Sequence, residues 1–561
     1  MYLPTTRDEL TALGWDRLDA VLVTGDTYID SSFIGAAVIG KILTQAGYRV
    51  GIIAQPDVHS PADIRRLGEP RLFWGVTAGS IDSMVANYTA SKKRRRFDDL
   101  TPGGANDRRP DRAAIVYTNL IKRYFKNTVP IVLGGIEASL RRIAHYDFWD
   151  DRIRRSVLFD AKADVLVYGM AEKSVVELAR AMEAGRPWGC VRGICYISSS
   201  PPEGFVELPS YEAVISDKRE FIRMFDAFYA NSDPVVARGL YQLHDTRYLV
   251  QNPPAEYLTG SALDAVYGLD YERDVHPYYA QEGEVKALET IRWSLITHQG
   301  CYGECNFCSI AVHQGRMVRW RSERSILDEA VRMAADPAFG GYILDVGGPT
   351  ANMYGIECGR KLRSGSCADR RCLYPEVCPS LRPDHAKQIS LLRKLRRIPG
   401  VKGVFVASGV RYDLVQADAR SGRKYLRELV KHHVSGQMKV APEHVVRDVL
   451  KRMGKPNADT LIRFRDAFYE ESRAAGKEQH LTYYLIAAHP GCTERDMRDL
   501  KRYVSRELRI NPEQVQIFTP TPSTYSSVMY YTGVDPTTGE SVFVERDAHR
   551  REKQKDIVVS G

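Results

Sequence analysis

Short apolar runs alternate with helical patterns in two separate blocks of this 561-residue chain. Such alternation restricts a chain to folds built on parallel strands covered by helices. In the first block the runs are "AVLVTG" (20–25), "RVGIIAQ" (49–55), "RLFWGVTA" (71–78), "PIVLGG" (130–135) and "ADVLVYG" (163–169). They are near-continuously apolar, as strands buried on both faces must be. Helical patterns such as "FIGAAVIGKILTQAG" and "AEKSVVELARAMEAG" lie between them, each closed by a C-terminal Gly. Residues 1–215 are therefore expected to form a doubly wound α/β domain. From about 286 the alternation resumes with "IRWSLITHQGC", "GYILDVGGPT", "VKGVFVASGV", "GQMKVAP", "LTYYLIAAHPG" and "VQIFTPTPST". Six strand–helix repeats predict a partial (β/α)6 barrel over 286–535, with chemistry at the C-terminal strand ends. The stretch 216–285, helical and then aromatic and proline-bearing, reads as a bridge packed on its neighbours. Residues 536–561 read as a charged tail, a short surface helix or a frayed end. A chain this long exceeds what one hydrophobic core serves.

Composition excludes little. The formal charge of +9 is a mild excess that neither demands nor excludes an anionic partner. No apolar run approaches the roughly 20 residues that cross a bilayer, so no membrane partner is expected. The opening "MYLPTTRDELTALGW" has acidic residues and lacks the apolar core of a signal peptide. The cytoplasm is the expected location, where clustered cysteines are metal ligands or catalysts rather than disulfides. The basic run "SKKRRR" (91–96) is followed by Asp98 and Asp99 and reads as a solvated loop.

The segment "HQGCYGECNFCSI" (298–310) holds Cys301, Cys305 and Cys308 directly after the first strand of the second block. Zinc loops usually bring cysteines in pairs. Three thiolates instead suit a [4Fe-4S] cluster with one iron left open, where a small molecule can chelate. Downstream, "RWRSERSILDEA" is expected to begin a helix capped by Ser325 and Asp328.

This loop, with the aromatic Phe307 before Cys308, resembles that of the radical S-adenosylmethionine (SAM) enzymes. More narrowly, the chain resembles the YgiQ-type, UPF0313-like members from end to end. The phrases "AAVIGKIL", "GIIAQP", "SKKRRR", "TPGG", "VLGGIEASLRR", "DVGGPTANMYG" and "MKVAPEH" carry that likeness. The resemblance implies that Cys301, Cys305 and Cys308 ligate the cluster and that Phe307 belongs to the cofactor site. It implies that Gly347 and Gly348 receive the methionine end of SAM. Pro349 stands where the family has an acidic residue, which leaves that contact to backbone carbonyls or Asp345. Ser408 and Arg411, in "ASGVRYD", fall at the ribose-binding position. The implied chemistry is reductive cleavage of SAM to a 5′-deoxyadenosyl radical that takes hydrogen from a substrate: RNA, protein or small molecule. A reductant such as flavodoxin or ferredoxin is the implied partner. The alternatives are a non-catalytic iron–sulfur or sensor protein and, among enzymes, a methylthiotransferase-like or cobalamin-dependent methyltransferase activity.

A second set, Cys358, Cys367, Cys372 and Cys378, lies in the insertion 355–382. Four thiols can close a site completely, as structural zinc or as an auxiliary iron–sulfur cluster, and the spacing decides neither. Cys190, Cys195 and Cys492 are scattered and read as buried thiols. The first domain resembles the cobalamin-binding domains of such enzymes, but "GDTYIDSSFIG" lacks the histidine of their D-x-H-x-x-G loop, and cobalamin is not expected. "LGGIEASLRR" suits either an anion at a helix N-terminus or a tight turn with Gly135 at positive φ.

Overall fold

The computed structural model of the chain describes residues 1–559. These residues divide into two compact units, one of Met1–Leu258 with Ala265–Arg292 and one of Thr259–Asp264 with Trp293–Gly561.

The first unit is built on one nine-stranded sheet. Its first five strands are β1 (Ala20–Thr24), β2 (Val50–Ala54), β3 (Phe73–Thr77), β4 (Ile131–Gly134) and β5 (Val165–Val167). They are mutually parallel in the order β2-β1-β3-β4-β5. Every residue of β1 and β2 is buried, which is why neither shows polar alternation. Helices α1 (Gly35–Gln45) and α2 (Glu172–Glu183) pack on this sheet, and α2 buries Val175, Leu178 and Ala179 with Leu22 and Val132 in one core.

The sheet then continues beyond the expected domain. Strands β6 (Ile194–Ser198), β7 (Val206–Leu208), β8 (Leu240–His244) and β9 (Arg247–Gln251) extend it in the order β6-β9-β8-β7. β6 runs antiparallel to β5, and β8 and β9 form an antiparallel hairpin. The stretch read as a bridge thus supplies two strands and the helix α3 (Lys218–Ala230) to the first unit. This mixed part of the sheet shows no apolar run in the sequence, because polar residues such as Gln242, His244 and Gln251 are buried in its strands.

Two local readings resolve in this unit. Gly135 has φ +80°, and a side chain there would collide with the Thr77 hydroxyl, so "LGGIEASLRR" forms a tight turn. The basic run is exposed, and Lys92, Arg94 and Arg95 donate to the carbonyls of Trp149, Asn106 and Tyr88. Cys195 is buried as expected, whereas Cys190 is exposed. The crevice between β1 and β3, where the strand order reverses, holds the buried Arg109. Its guanidinium pairs with Asp26 at 2.7 Å and Asp98 at 3.1 Å.

In the second unit six parallel segments follow one another in chain order. They are β10 (Ser294–Ile296), the pair β11 (Tyr342–Ile343) and β12 (Asp345–Gly347), β13 (Gly403–Val404), β14 (Gln437–Glu443), β15 (His480–Ala487) and β16 (Val515–Ile517). β10 pairs with β12, β11 with β13, a bridge joins Val410 to Val440, and β14-β15-β16 form the remaining sheet. Helix α4 (Glu323–Ala334) buries Ile326, Ala330 and Met333 against Leu295, Val346 and Val404. Its cap is Ser322, whose hydroxyl accepts from Ser325 N at 3.1 Å. The expected pair is misplaced by one turn, since Asp328 is on the helix and pairs with Arg324 at 3.6 Å.

The charged C-terminal segment is not a frayed end. Helix α5 (Glu494–Tyr503) packs against α6 (Ala548–Val559), and Gln554 and Val558 are fully buried. Gln554 accepts from Ala488 N at 3.0 Å and donates to Cys492 O at 3.2 Å. Among the described residues no helix is long and apolar enough to cross a membrane. A Gln554→Ala chain would leave two buried backbone groups unpaired, at about 1–3 kcal/mol for such a loss. The expected result is a lower urea midpoint with faster amide exchange at Ala488; unchanged values would mean that α6 adds nothing to the unit.

Candidate functional site

Beyond β10, residues 298–308 form a loop whose cysteines face a common space. Gly303 N donates to Cys301 Sγ at 3.3 Å. A Cβ at Gly303 would lie 3.2 Å from Cys301 Sγ, 3.5 Å from Cys305 Sγ and 3.3 Å from Arg411 Nη1. Any larger residue at 303 would crowd these three groups. Arg411 Nη1 stands 3.6 Å from Cys305 Sγ, and Thr350 Oγ1 stands 3.6 Å from Cys301 Sγ. Burial, then the neighbouring Cys305 and Cys301 charges, pushes the Cys308 thiol up to about 12. Burial and Cys305 raise Cys301 as well. These thiols feel one another and stay protonated until a cation makes thiolates favourable, the behaviour of metal ligands. Soft sulfur donors brought together at one strand end fit a thiolate-held metal cluster.

Glu304 holds the loop from behind. It sits between two of the cysteines at φ +44° and is buried. Its carboxylate accepts from Arg316 Nε and Lys361 Nζ, both at 2.8 Å. Burial alone would raise its pKa; Lys361 and then Arg316 override that and hold it low. On the other side Asn306 N donates to Met453 O at 3.0 Å and Asn306 O accepts from Ser526 N at 2.9 Å.

The structure places the other expected residues around the loop in two groups. At the end of β12, a Cβ on Gly348 would lie 2.7 Å from the His298 carbonyl oxygen, so only glycine lets the two backbones meet. A Cβ on Gly347 would stand 3.6 Å from Ser408 Oγ, which brings those two together. Ser408 Oγ donates to Asp345, whose carboxylate also accepts from Ala407 N at 2.8 Å and Ser408 N at 3.1 Å. Asp345 is thus committed to the turn after β13. Arg411 faces the cysteines instead, and its Nε is held by Asp413 at 2.8 Å. Phe307 meets the ring of His489 edge-on at 6.3 Å. Cys358, Cys367, Cys372 and Cys378 surround a cavity of their own.

Several neighbours carried no separate signal in the sequence. Glu443, at φ +68°, closes β14 and pairs with Lys455 at 3.5 Å. His444 lies 3.7 Å from Cys492 Sγ, and His489 Nε2 lies 2.6 Å from Ser526 Oγ. Glu443 and His444 end the phrase "MKVAPEH", and His489 follows β15; strand-end position was the one clue available.

Parallel strands in chain order, with a cysteine loop at the end of the first, define the class of the radical SAM enzymes, and residues 2–294 match the Radical SAM N-terminal family. The chain belongs to the UPF0313 family of radical SAM proteins. It is 55% identical over 558 residues to UPF0313 protein FN0734 of Fusobacterium nucleatum, covering 99% of this chain and 98% of that one. It is 49% identical over 562 residues to the UPF0313 protein of Thermotoga maritima, covering 100% and 98%. Residues 513–559 match a domain of unknown function, DUF3362. Among solved structures, the cobalamin-dependent S-adenosylmethionine radical enzyme OxsB with aqua-cobalamin bound is similar in fold. Its TM-score is 0.50 at 13% identity, over 91% of this chain and 55% of that one. The chain is therefore an enzyme of a class that uses a [4Fe-4S] cluster, SAM and a reductant.

Burial lowers His298 and His444 to about 4 and His489 to about 3, from the ordinary 6.5. A histidine held neutral in the folded chain stabilises it fully above pH 6.5 and progressively less as pH falls towards 4. The urea midpoint of the second unit is expected to drop between pH 7 and pH 5, and His444→Gln is expected to reduce that drop. A drop of the same size in the variant would show that His444 is not buried neutral.

Proposed function

We propose that Cys301, Cys305 and Cys308 hold a [4Fe-4S] cluster in a partial (β/α)6 barrel formed by the second unit, and that the protein cleaves SAM reductively to act on a substrate by hydrogen abstraction. The observation that carries this reading is the gathering of the Cys301 and Cys305 sulfurs around Gly303, with Cys308 close enough to feel both. When bound, the cluster supplies the electron that splits SAM into methionine and a 5′-deoxyadenosyl radical. Three thiols leave one iron without a protein ligand, for the amino and carboxylate groups of SAM.

The remaining residues act by position. Thr350 and Arg411 present polar hydrogens to the sulfurs of Cys301 and Cys305, and Asp413 keeps the guanidinium of Arg411 aimed at them. Hydrogen bonds of this kind tune a thiolate-held cluster. The bare backbone at Gly347 and Gly348 receives the methionine amino group, with Pro349 in place of an acidic side chain. Ser408, fixed by Asp345, lies beside Gly347 and is assigned to the ribose. Phe307, braced by His489, covers the side of the loop next to Cys308. A one-electron protein reductant such as flavodoxin or ferredoxin serves the enzyme in the cytoplasm. The strand-end crevice of the first unit is filled by the Asp26–Arg109–Asp98 ion pairs, which does not suit cobalamin there.

Anaerobically reconstituted protein is expected to release 5′-deoxyadenosine from SAM in the presence of dithionite. Cys301→Ala, Cys305→Ala and Cys308→Ala should each reduce this to background; product at the wild-type level from any one of them would refute the ligand set. Gly348→Val is expected to weaken SAM binding by about tenfold or more, some 1.4 kcal/mol, with iron content retained. Unchanged affinity by calorimetry would remove the methionine end from this strand.

A further inference from the structure

The four cysteines of the insertion have no part in the site above, yet they converge. Cys358, Cys367, Cys372 and Cys378 line a single cavity, and none is in a disulfide. Cys358 and Cys372 are nearly inaccessible, at 3% and 5% exposure. Reduced thiols drawn from a polar segment into one cavity have no packing reason to meet there.

We propose that these four cysteines ligate a second, closed iron–sulfur cluster of the [4Fe-4S] type. The competing occupant is zinc, which four thiolates can also close around, and the test below separates the two. The donor set matches a cubane, because each of its four irons takes one thiolate at a separate corner. Complete ligation also leaves no iron open, so this cluster does not bind SAM.

Backbone hydrogen bonds frame the cavity. Cys358 precedes the short helix Gly359–Ser364, and its carbonyl accepts from Leu362 N at 3.1 Å. Cys378 N donates to Cys372 O at 2.8 Å, and Leu381 N donates to Cys378 O at 2.9 Å. The frame is pinned to the three-cysteine loop. Lys361, 1% exposed, donates to Glu304 at 2.8 Å and to the Arg316 carbonyl at 2.8 Å, while Arg371 donates to the Glu304 carbonyl at 3.0 Å. Arg360, Arg370 and Arg371 also line the cavity and balance the negative charge that four thiolates bring.

The test uses the full chain, reconstituted anaerobically with iron and sulfide. The wild type is expected to carry about eight irons, and the Cys301→Ala/Cys305→Ala/Cys308→Ala triple variant about four irons with about four sulfides. Reduction of that variant should give the electron paramagnetic resonance signal of a [4Fe-4S] centre. About one zinc and no iron in the triple variant would overturn the cluster; no retained metal would overturn the site. As a second variant, Cys367→Ser/Cys378→Ser in the otherwise native chain should lower iron from about eight towards four. Iron that stays at the wild-type level there would refute the assignment even if the triple variant does not fold. Release of 5′-deoxyadenosine by the wild type reports on the first cluster alone, so failure of either assignment is seen independently of the other.

Discussion

The buried carboxylate of Glu304 is the constraint on which the candidate site depends. It lies in the sequence between Cys301 and Cys305, and in space between Arg316 and Lys361. A carboxylate taken out of water is costly unless it is paired and hydrogen-bonded, and removing one partner of such a group typically costs about 3–5 kcal/mol. Here two cations satisfy it, one from the segment after the loop and one from the insertion. The cysteine loop, the segment that follows it and the insertion are thereby joined at one residue. A loop that must present several thiols to a common centre gains from such a fixed back wall, since side chains that wander lose their shared ligand.

The second unit concentrates its chemistry-bearing side chains where parallel strands end. The cysteine loop follows β10, Gly347 and Gly348 end β12, Ser408 and Arg411 follow β13, Glu443 ends β14, and His489 follows β15. Successive parallel strands in chain order bring all these ends to one side, so residues nearly 190 positions apart along the sequence reach one region. The first unit follows the same rule with another outcome. At its strand-end crevice the buried Arg109 pairs with Asp26 and with Asp98. The likeness to OxsB is one of fold, and the side chains in that crevice are this chain's own.

Much of the framework was legible because it rests on local patterns. The parallel strands announced themselves as apolar runs, since burial on both faces removes alternation. The three-cysteine loop was legible because its spacing spans eight residues. Strands β8 and β9 were not, because buried polar residues such as Gln242, His244 and Gln251 interrupt their apolar pattern. Ser322 was passed over as the helix cap because Ser325 offered an equally good hydroxyl three residues on. The tail reads as solvated helix because eight of the twelve residues of α6 are charged or polar, while the buried ones among them, Arg551 and Gln554, lie on one face with Val558.

By itself the sequence determined the order of strands and helices, the two cysteine sets and the family resemblance, because periodicity, spacing and motif are properties of neighbouring residues. The tertiary structure alone decided which distant groups meet. It paired Lys361 with Glu304, set Arg411 against Cys305 and turned Ser408 towards Asp345 rather than leaving it free. It also gathered four unevenly spaced cysteines around one cavity. Those meetings follow from packing and from the cost of leaving a buried polar group unpaired, and both are settled only when the whole chain has folded.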